Sequence, residues 1–400
     1  MNNFKFQVKK IGCYLKTKST FELVFIFTLF IWCTSIPFDN AIYQIGWVLL
    51  NLLFITHIVY YRSWHIIKDI LTSIKPIVFL FSGLCLVMIA SNLLNHSILS
   101  PKSWHHTIYF VLRFAFVFLA LCYFYKLSFF RDSDLIYFFI FGICILAAGG
   151  LFQLIYKYQY IIFNSHSGYG LTGVLRNRNG FGLISGIGLV TILVFLKDSL
   201  LKNILLLIFV TLVAFSFSRS SWVASIVAIS FYYLINLKTV TKNHIILVII
   251  ILSTIMIFYL LSDSLQHRFS QLIEGNSSHR LGIWSYTFSK IIEQPFFGYG
   301  LDSFQYLPNA PFLTNPNYSA PHNMIMEILF STGIVGFIFF TTINLYILLT
   351  ILKNKNYKIM IMFFYIYVVC QFDFGIFSSK ELLSYVTIFS FLAMKDKAVV

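Results

Sequence analysis

Along its whole length the chain alternates long apolar runs with short polar connections. The runs are about 14–26 residues long, close to the roughly 20 that a helix needs to cross a hydrocarbon core of roughly 30 Å. They predict membrane helices at approximately 21–37, 41–61, 76–94, 107–126, 135–156, 180–196, 204–218, 221–236, 245–261, 327–352, 359–373 and 381–394. Every connection is brief except 262–326. No internal repeat, low-complexity tract or soluble domain interrupts the pattern, so the expected organisation is a single integral membrane domain over 1–400 with one large loop inside it. Within that loop, RLGIWSYTFSKIIEQPFFGYG sets Trp284, Phe288, Ile291 and Ile292 at helical spacing, and Pro295 and Gly298 end the pattern. This predicts an amphipathic helix lying on the membrane surface. Pro308, Pro311, Pro316 and Pro321 then predict an irregular segment leading to His322.

Composition agrees with the pattern. Of 400 residues, 58% are hydrophobic and 11% charged, where soluble domains carry about 25% charged residues; the mean hydropathy is +0.82. The expected class is an all-α polytopic membrane protein of about 12 transmembrane helices. The first apolar run lacks a small-x-small cleavage pattern and a second follows it directly, so a membrane anchor is expected there and not a cleaved signal. Five of the six cysteines fall in apolar runs and Cys13 lies in the basic N-terminal arm; none forms a CxxC, so neither a disulfide framework nor a zinc site is expected.

The net charge of +15 is accounted for by topology, with no nucleic-acid partner required. With the N-terminus in the cytoplasm, 19 of the 29 Lys and Arg residues fall in cytoplasmic segments, as the positive-inside rule asks. Both termini are then cytoplasmic and the loop 262–326 is external. The two faces also differ in kind. The cytoplasmic segments carry mainly lysine, whereas the outer ones carry Arg176, Arg178, Arg219, Arg268 and Arg280. Lysine suffices for topology; arginine adds a planar fork that holds phosphate oxygens two at a time. An arginine-rich outer face therefore suggests a phosphate ligand there.

Individual residues each read two ways. Arg219, in AFSFSRSSWVAS, sits where two spans meet almost without a loop: either a snorkelling interfacial arginine or a functional charge at the membrane surface. Arg280 begins the amphipathic helix, as a solvated face charge or as an anion ligand. Arg176, Arg178 and Asn179, in GVLRNRNGFG, form either a capping turn or a loop able to approach a ligand closely with its backbone. His322 is a loop histidine or a proton acceptor, and Asn323 is a helix cap or a substrate contact. Arg113 lies inside a span with no partner readable from sequence. No P-loop, GxGxxG or HExxH pattern is present, and the outer acids Asp39, Asp263, Glu274, Glu293, Asp302, Glu327, Asp373 and Glu381 are scattered without metal-ligand spacing. No metal or other cofactor is expected.

Taken in order, FSFSRSSW, HRLGIWSYTFSKIIEQPFFGYGLDSF and PHNMIMEILFSTGIVGF resemble the O-antigen ligase and polymerase superfamily: an arginine after a span, an R-x-x-x-W helix running into P-x-x-G-x-G, then a His-Asn pair opening a span with Gly-x-x-Gly. The resemblance covers about 170–340 in motif, and the absence of a large extra outer domain is similar to the lipopolysaccharide O-antigen ligase branch. It implies a GT-C-like, metal-independent, inverting glycosyltransferase of the bacterial inner membrane. Its donor would be an O-antigen glycan on undecaprenyl diphosphate, and its acceptor a sugar hydroxyl of lipid A-core, at the periplasmic face. By motif position it implies Arg219 and Arg280 as ligands of the diphosphate and His322 as the group that orients or deprotonates the acceptor. Trp284, Asn323, Asn179, Arg176 and Arg178 would bind substrate, the last two by weaker matches. A polymerase joining lipid-linked units would use the same donor and fold. A flippase of the lipid-linked glycan would need charge along the whole membrane path, and apart from Arg113 the predicted spans hold almost none.

Overall fold

The computed structural model describes residues 18–38, 41–95, 103–157, 170–175, 177–237, 241–275, 280–307, 320–377 and 379–399. Arg176, the N-terminal arm before Lys18 and the proline-rich stretch 308–319 lie outside the described residues. Among the described residues there are fifteen α-helices and no strand: α1 Thr20–Ser35, α2 Ala41–Tyr61, α3 Trp64–Ser73, α4 Lys75–Leu94, α5 Ser103–Lys126, α6 Asp132–Tyr156, α7 Arg178–Phe195, α8 Leu200–Phe215, α9 Arg219–Ile235, α10 Lys242–Leu261, α11 Asp263–Ile273, α12 Arg280–Glu293, α13 Met324–Lys353, α14 Tyr357–Cys370 and α15 Lys380–Val399. Each of the twelve segments predicted as spans is a helix. Seven (α1, α2, α4, α5, α6, α7 and α13) are long and apolar enough to cross a bilayer, while α8, α9 and α14 are apolar but shorter. Between α10 and α11 the chain bends by 104°.

Local signals explain where helices begin. Ser19 and Glu22 form a reciprocal capping box at α1, with Glu22 N donating to Ser19 Oγ at 3.3 Å and Ser19 N to Glu22 Oε2 at 2.7 Å. At α6 the Asp134 carboxylate accepts from Arg131 N at 2.9 Å and from Arg131 Nη2 at 3.1 Å, and Asp132 pairs with Lys395, so the Asp-Ser-Asp at 132–134 is committed to structure. Packing uses aromatic rings set into glycine notches. A Cβ on Gly150 would lie 2.5 Å from the Phe181 ring, and one on Gly186 would lie 1.9 Å from the Tyr365 hydroxyl. Close contact of this kind is what binds helices in lipid, where apolar burial gives no advantage over the surrounding tails.

Arg113 acquires partners that no sequence pattern names. A π-helical turn, Val111–Phe116, carries it to 4% exposure. Its Nη2 donates to Gln44 Oε1 at 2.7 Å, and its guanidinium lies 4.4 Å from the ring centre of Tyr109 and 5.3 Å from that of Trp47. Aromatic faces and a glutamine, in place of an acid, hold this cation.

One interlock shapes the site. α13 breaks at Gly333, whose φ of 63° and ψ of −169° suit only glycine. The freed backbone is taken up by the 295–300 segment: Tyr299 N donates to Phe330 O at 2.8 Å, Gly300 N to Ser331 O at 3.0 Å, and Ile334 N to Pro295 O at 2.7 Å. Asn95, at the end of α4, donates to Gly298 O at 2.7 Å, and Ser91 Oγ donates to Ser331 O at 3.0 Å. The glycines of P-x-x-G-x-G and G-x-x-G thus serve one junction.

The predicted surface helix is present as α12, but its apolar stripe divides. Trp284 and Ile291 pack with Ile283 against Tyr299, Phe304 and Phe330, whereas Phe288 and Ile292 are exposed beside Leu281. The helix has two apolar faces, one packed on the protein and one turned outward, so a single-stripe reading places half of it wrongly.

Candidate active site

The starts of α7, α9, α12 and α13 and the end of α14 meet at one end of the bundle. The α8–α9 turn is tight: Phe217 adopts φ 53°, and Ser218 Oγ lies 2.9 Å from Ser221 Oγ and 3.1 Å from Ser220 Oγ. A Cβ on Gly182 would lie 2.6 Å from Ser218 Cβ, so glycine there lets α7 approach the turn that carries Arg219.

At the centre is Asp373, just past α14. Its carboxylate is 3% exposed and accepts from Arg280 Nη2, from Ser220 Oγ and, at 3.2 Å, from Asn179 Nδ2. Its own carbonyl oxygen lies 3.1 Å from His322 Nδ1. A carbonyl only accepts, so Nδ1 carries the proton and, in the neutral ring, the lone pair is on Nε2. His322 itself sits at φ 53°, a left-handed conformation rare outside glycine. Two contacts hold it there. Trp284 Nε1 donates to Pro321 O at 3.1 Å. Asn323 caps α13 through Oδ1, 3.0 Å from Met326 N, while its Nδ2 donates to Gln371 O at 2.9 Å. Both polar atoms of Asn323 are thereby engaged in joining α13 to the end of α14.

Positive charge gathers around the aspartate. Arg178 feels Asp373 and Arg219, and Arg219 feels Arg280 and Asp373. Arg219 Nη1 donates to Gln271 O at 3.1 Å, and Arg268 Nη1 to Gln271 Oε1 at 2.9 Å, which brings α11 into the cluster. Burial, with Arg178 and Arg219 close by, pulls Arg268 down to about 10. Four arginines, Arg178, Arg219, Arg268 and Arg280, thus gather around one buried carboxylate. Arg280 Nε is buried with no hydrogen-bond partner among the described residues. The arrangement can receive an anion of more than one charge through forked donors.

Arg219, Arg280, His322, Arg178, Asn179, Asn323 and Trp284 are therefore all in one place. Arg268, one of the arginines of the outer face, joins them, and Ser220, Gln371 and above all Asp373 complete the site without having been given a role from sequence. Asp373 could have been found by its depth: an acid at the very end of an apolar run is expensive there and calls for a partner. Among the described residues no group of three His, Cys, Asp or Glu side chains is placed to hold a metal.

Comparison with known proteins bears on this geometry. A family model described as O-antigen ligase matches residues 204–341, the stretch holding Arg219, Arg280 and His322 but neither Asn179 nor Asp373. A Rickettsia conorii (strain ATCC VR-613 / Malish 7) protein carrying the provisional name polysaccharide ligase is 36% identical over 95 residues, 21% of this chain. The chain spans about a quarter of that relative's length, 23%.

Proposed function

We propose that this chain, an O-antigen ligase-type membrane protein over residues 204–341, is a glycosyltransferase that moves an O-antigen glycan from undecaprenyl diphosphate to a sugar hydroxyl of lipid A-core. The reaction is placed at the periplasmic face of the inner membrane, with both termini in the cytoplasm. One observation carries the reading: arginines from three helices converge on Asp373, with Arg268 of a fourth beside them, and the carbonyl of Asp373 also anchors His322.

The chemistry follows from the charges. Arg219 and Arg280, with Arg178 and Arg268 behind them, hold the diphosphate. Asp373 fixes one arm of the Arg280 fork and leaves Nε for a phosphate oxygen. The acceptor hydroxyl attacks the sugar C1 from the side opposite the diphosphate, a C–O bond forms and the C1–O–P linkage breaks. Its electron pair leaves on the diphosphate, whose growing charge the arginines stabilise. The hydroxyl proton passes to His322 Nε2, a general-base contribution of about 10²–10⁴ in rate. Inversion at C1 and independence of metal belong to the same proposal. The gathering of charge at one end of the bundle, with Arg113 enclosed by rings, favours transfer over transport of the glycan.

A strain lacking the chain tests the reading. Its lipopolysaccharide is separated on a gel beside its undecaprenyl-linked glycans. Long O-chains stranded on the lipid carrier over a bare core are expected. A core capped with a single repeat unit would assign the same site to a polymerase instead.

A further inference from the structure

Beside the arginine cluster lies a cavity of about 170 Å³. It is smaller than the roughly 300–1,000 Å³ of a typical ligand pocket, so it suits one ring and excludes a chain. The interlock at Gly333 builds it, by laying the segment after Gly300 across α13. His106 and Asp302 stand at one side with Nε2 and Oδ2 3.6 Å apart and each side chain about a quarter exposed. Glu327, 6% exposed, stands at the other, with its Oε2 3.3 Å from Phe377 N. Phe304 and Phe330, edge to face at 5.4 Å, and Phe377 supply the apolar wall. Pro321 also lines it, and the next residue is His322. Asp302, like His322, is a non-glycine residue in the left-handed region, at φ 58°, and such conformations concentrate at functional sites.

The lining holds two carboxylates and a histidine and neither arginine nor lysine. Its electrostatics are opposite to those of the cluster across Pro321 and His322. A phosphate is repelled here, whereas a neutral ring finds carboxylate acceptors for its hydroxyls and aromatic edges for its C–H faces. We propose that this cavity is the acceptor subsite: it takes a single uncharged, hydroxyl-rich sugar ring, oriented by Asp302, His106 and Glu327, and presents one hydroxyl toward His322. The proposal rests on the transferase reading and adds where, and by what chemistry, the acceptor binds.

The test uses the full chain in proteoliposomes with an undecaprenyl diphosphate-linked glycan and lipid A-core, comparing wild type with Asp302→Asn and His106→Gln. Each variant should raise the acceptor KM about tenfold, the scale of one lost charge-assisted hydrogen bond, with the donor KM unchanged. A core phosphorylated on its terminal sugar should be a poor acceptor. An unchanged acceptor KM in both variants, or equal shifts for donor and acceptor, would overturn the subsite while leaving the transferase reading intact. A wild type that transfers nothing sinks the transferase reading instead. The cavity is then judged by direct binding of lipid A-core, which Asp302→Asn must weaken, and undiminished binding counts against it.

Discussion

Asp373 decides more at the scale of single residues than any motif residue does. It orients Arg280 and Asn179 through its carboxylate and His322 through its carbonyl. Asp373→Asn removes the charge while keeping the shape. It should destabilise the protein by about 3 kcal/mol, the low end for breaking a buried pair, because Arg280 keeps partial exposure. Transfer should fall with it, and thermal unfolding in detergent beside a transfer assay reads both effects; unchanged stability would argue against a coupled Asp373–Arg280 pair. Arg113 makes a milder case: Gln44→Leu should cost about 1–3 kcal/mol by stranding a charged donor, checked in the same melt. Arg178, Arg219, Arg280 and His322 were legible in the sequence because each falls where a span begins or a loop helix starts. Asp373 was not, since an acid 93 residues after Arg280 becomes its partner only through packing. The same holds for Gln44 and Arg113, 69 residues apart.

Among the elements, the interlock between residues 295–300 and the break in α13 is the feature with the sharpest consequence. A Cβ on Gly333 would lie 2.2 Å from Phe296 O, and one on Gly298 2.4 Å from Phe330 O, both at positive φ. Gly333→Ala should therefore destabilise by more than about 3 kcal/mol, since steric overlap adds to the roughly 1–3 kcal/mol of a left-handed strain. Gly180→Ala, with nothing within 4 Å of the new Cβ, should be neutral or stabilise by up to about 1 kcal/mol as helix propensity predicts. Equal melting temperatures for the two variants would contradict the junction. The twelve apolar runs were readable as helices from hydropathy, although only seven of those helices are long and apolar enough to cross a bilayer by themselves. The break at Gly333 was not, since hydropathy continues smoothly across it while the backbone turns away to bond another segment. α12 misled for a related reason: a helix with two apolar faces shows a stripe without saying which face meets protein.

For the whole molecule, the separation of charge sets function apart from topology. In the proposed threading, lysines at the end opposite the site orient the chain in the membrane, and the arginines at the other end form the cluster. An impermeant maleimide should label Lys355→Cys only from the cytoplasmic side and Glu274→Cys only from the outer side; labelling of both from one side would refute the threading. Sequence alone showed the arginine bias, but its collapse onto one point depends on α7, α9, α11 and α12 meeting at one end of the bundle. The central claim is that this cluster holds a diphosphate while His322 takes the acceptor's proton. The most direct measurement is glycan transfer in proteoliposomes by wild type, Arg280→Ala, Arg280→Lys and His322→Ala, each first shown to be folded. The account predicts a loss of about 100-fold or more for Arg280→Ala and His322→Ala, with Arg280→Lys also impaired because a point charge cannot replace the fork. Wild-type rates in all three variants would contradict it.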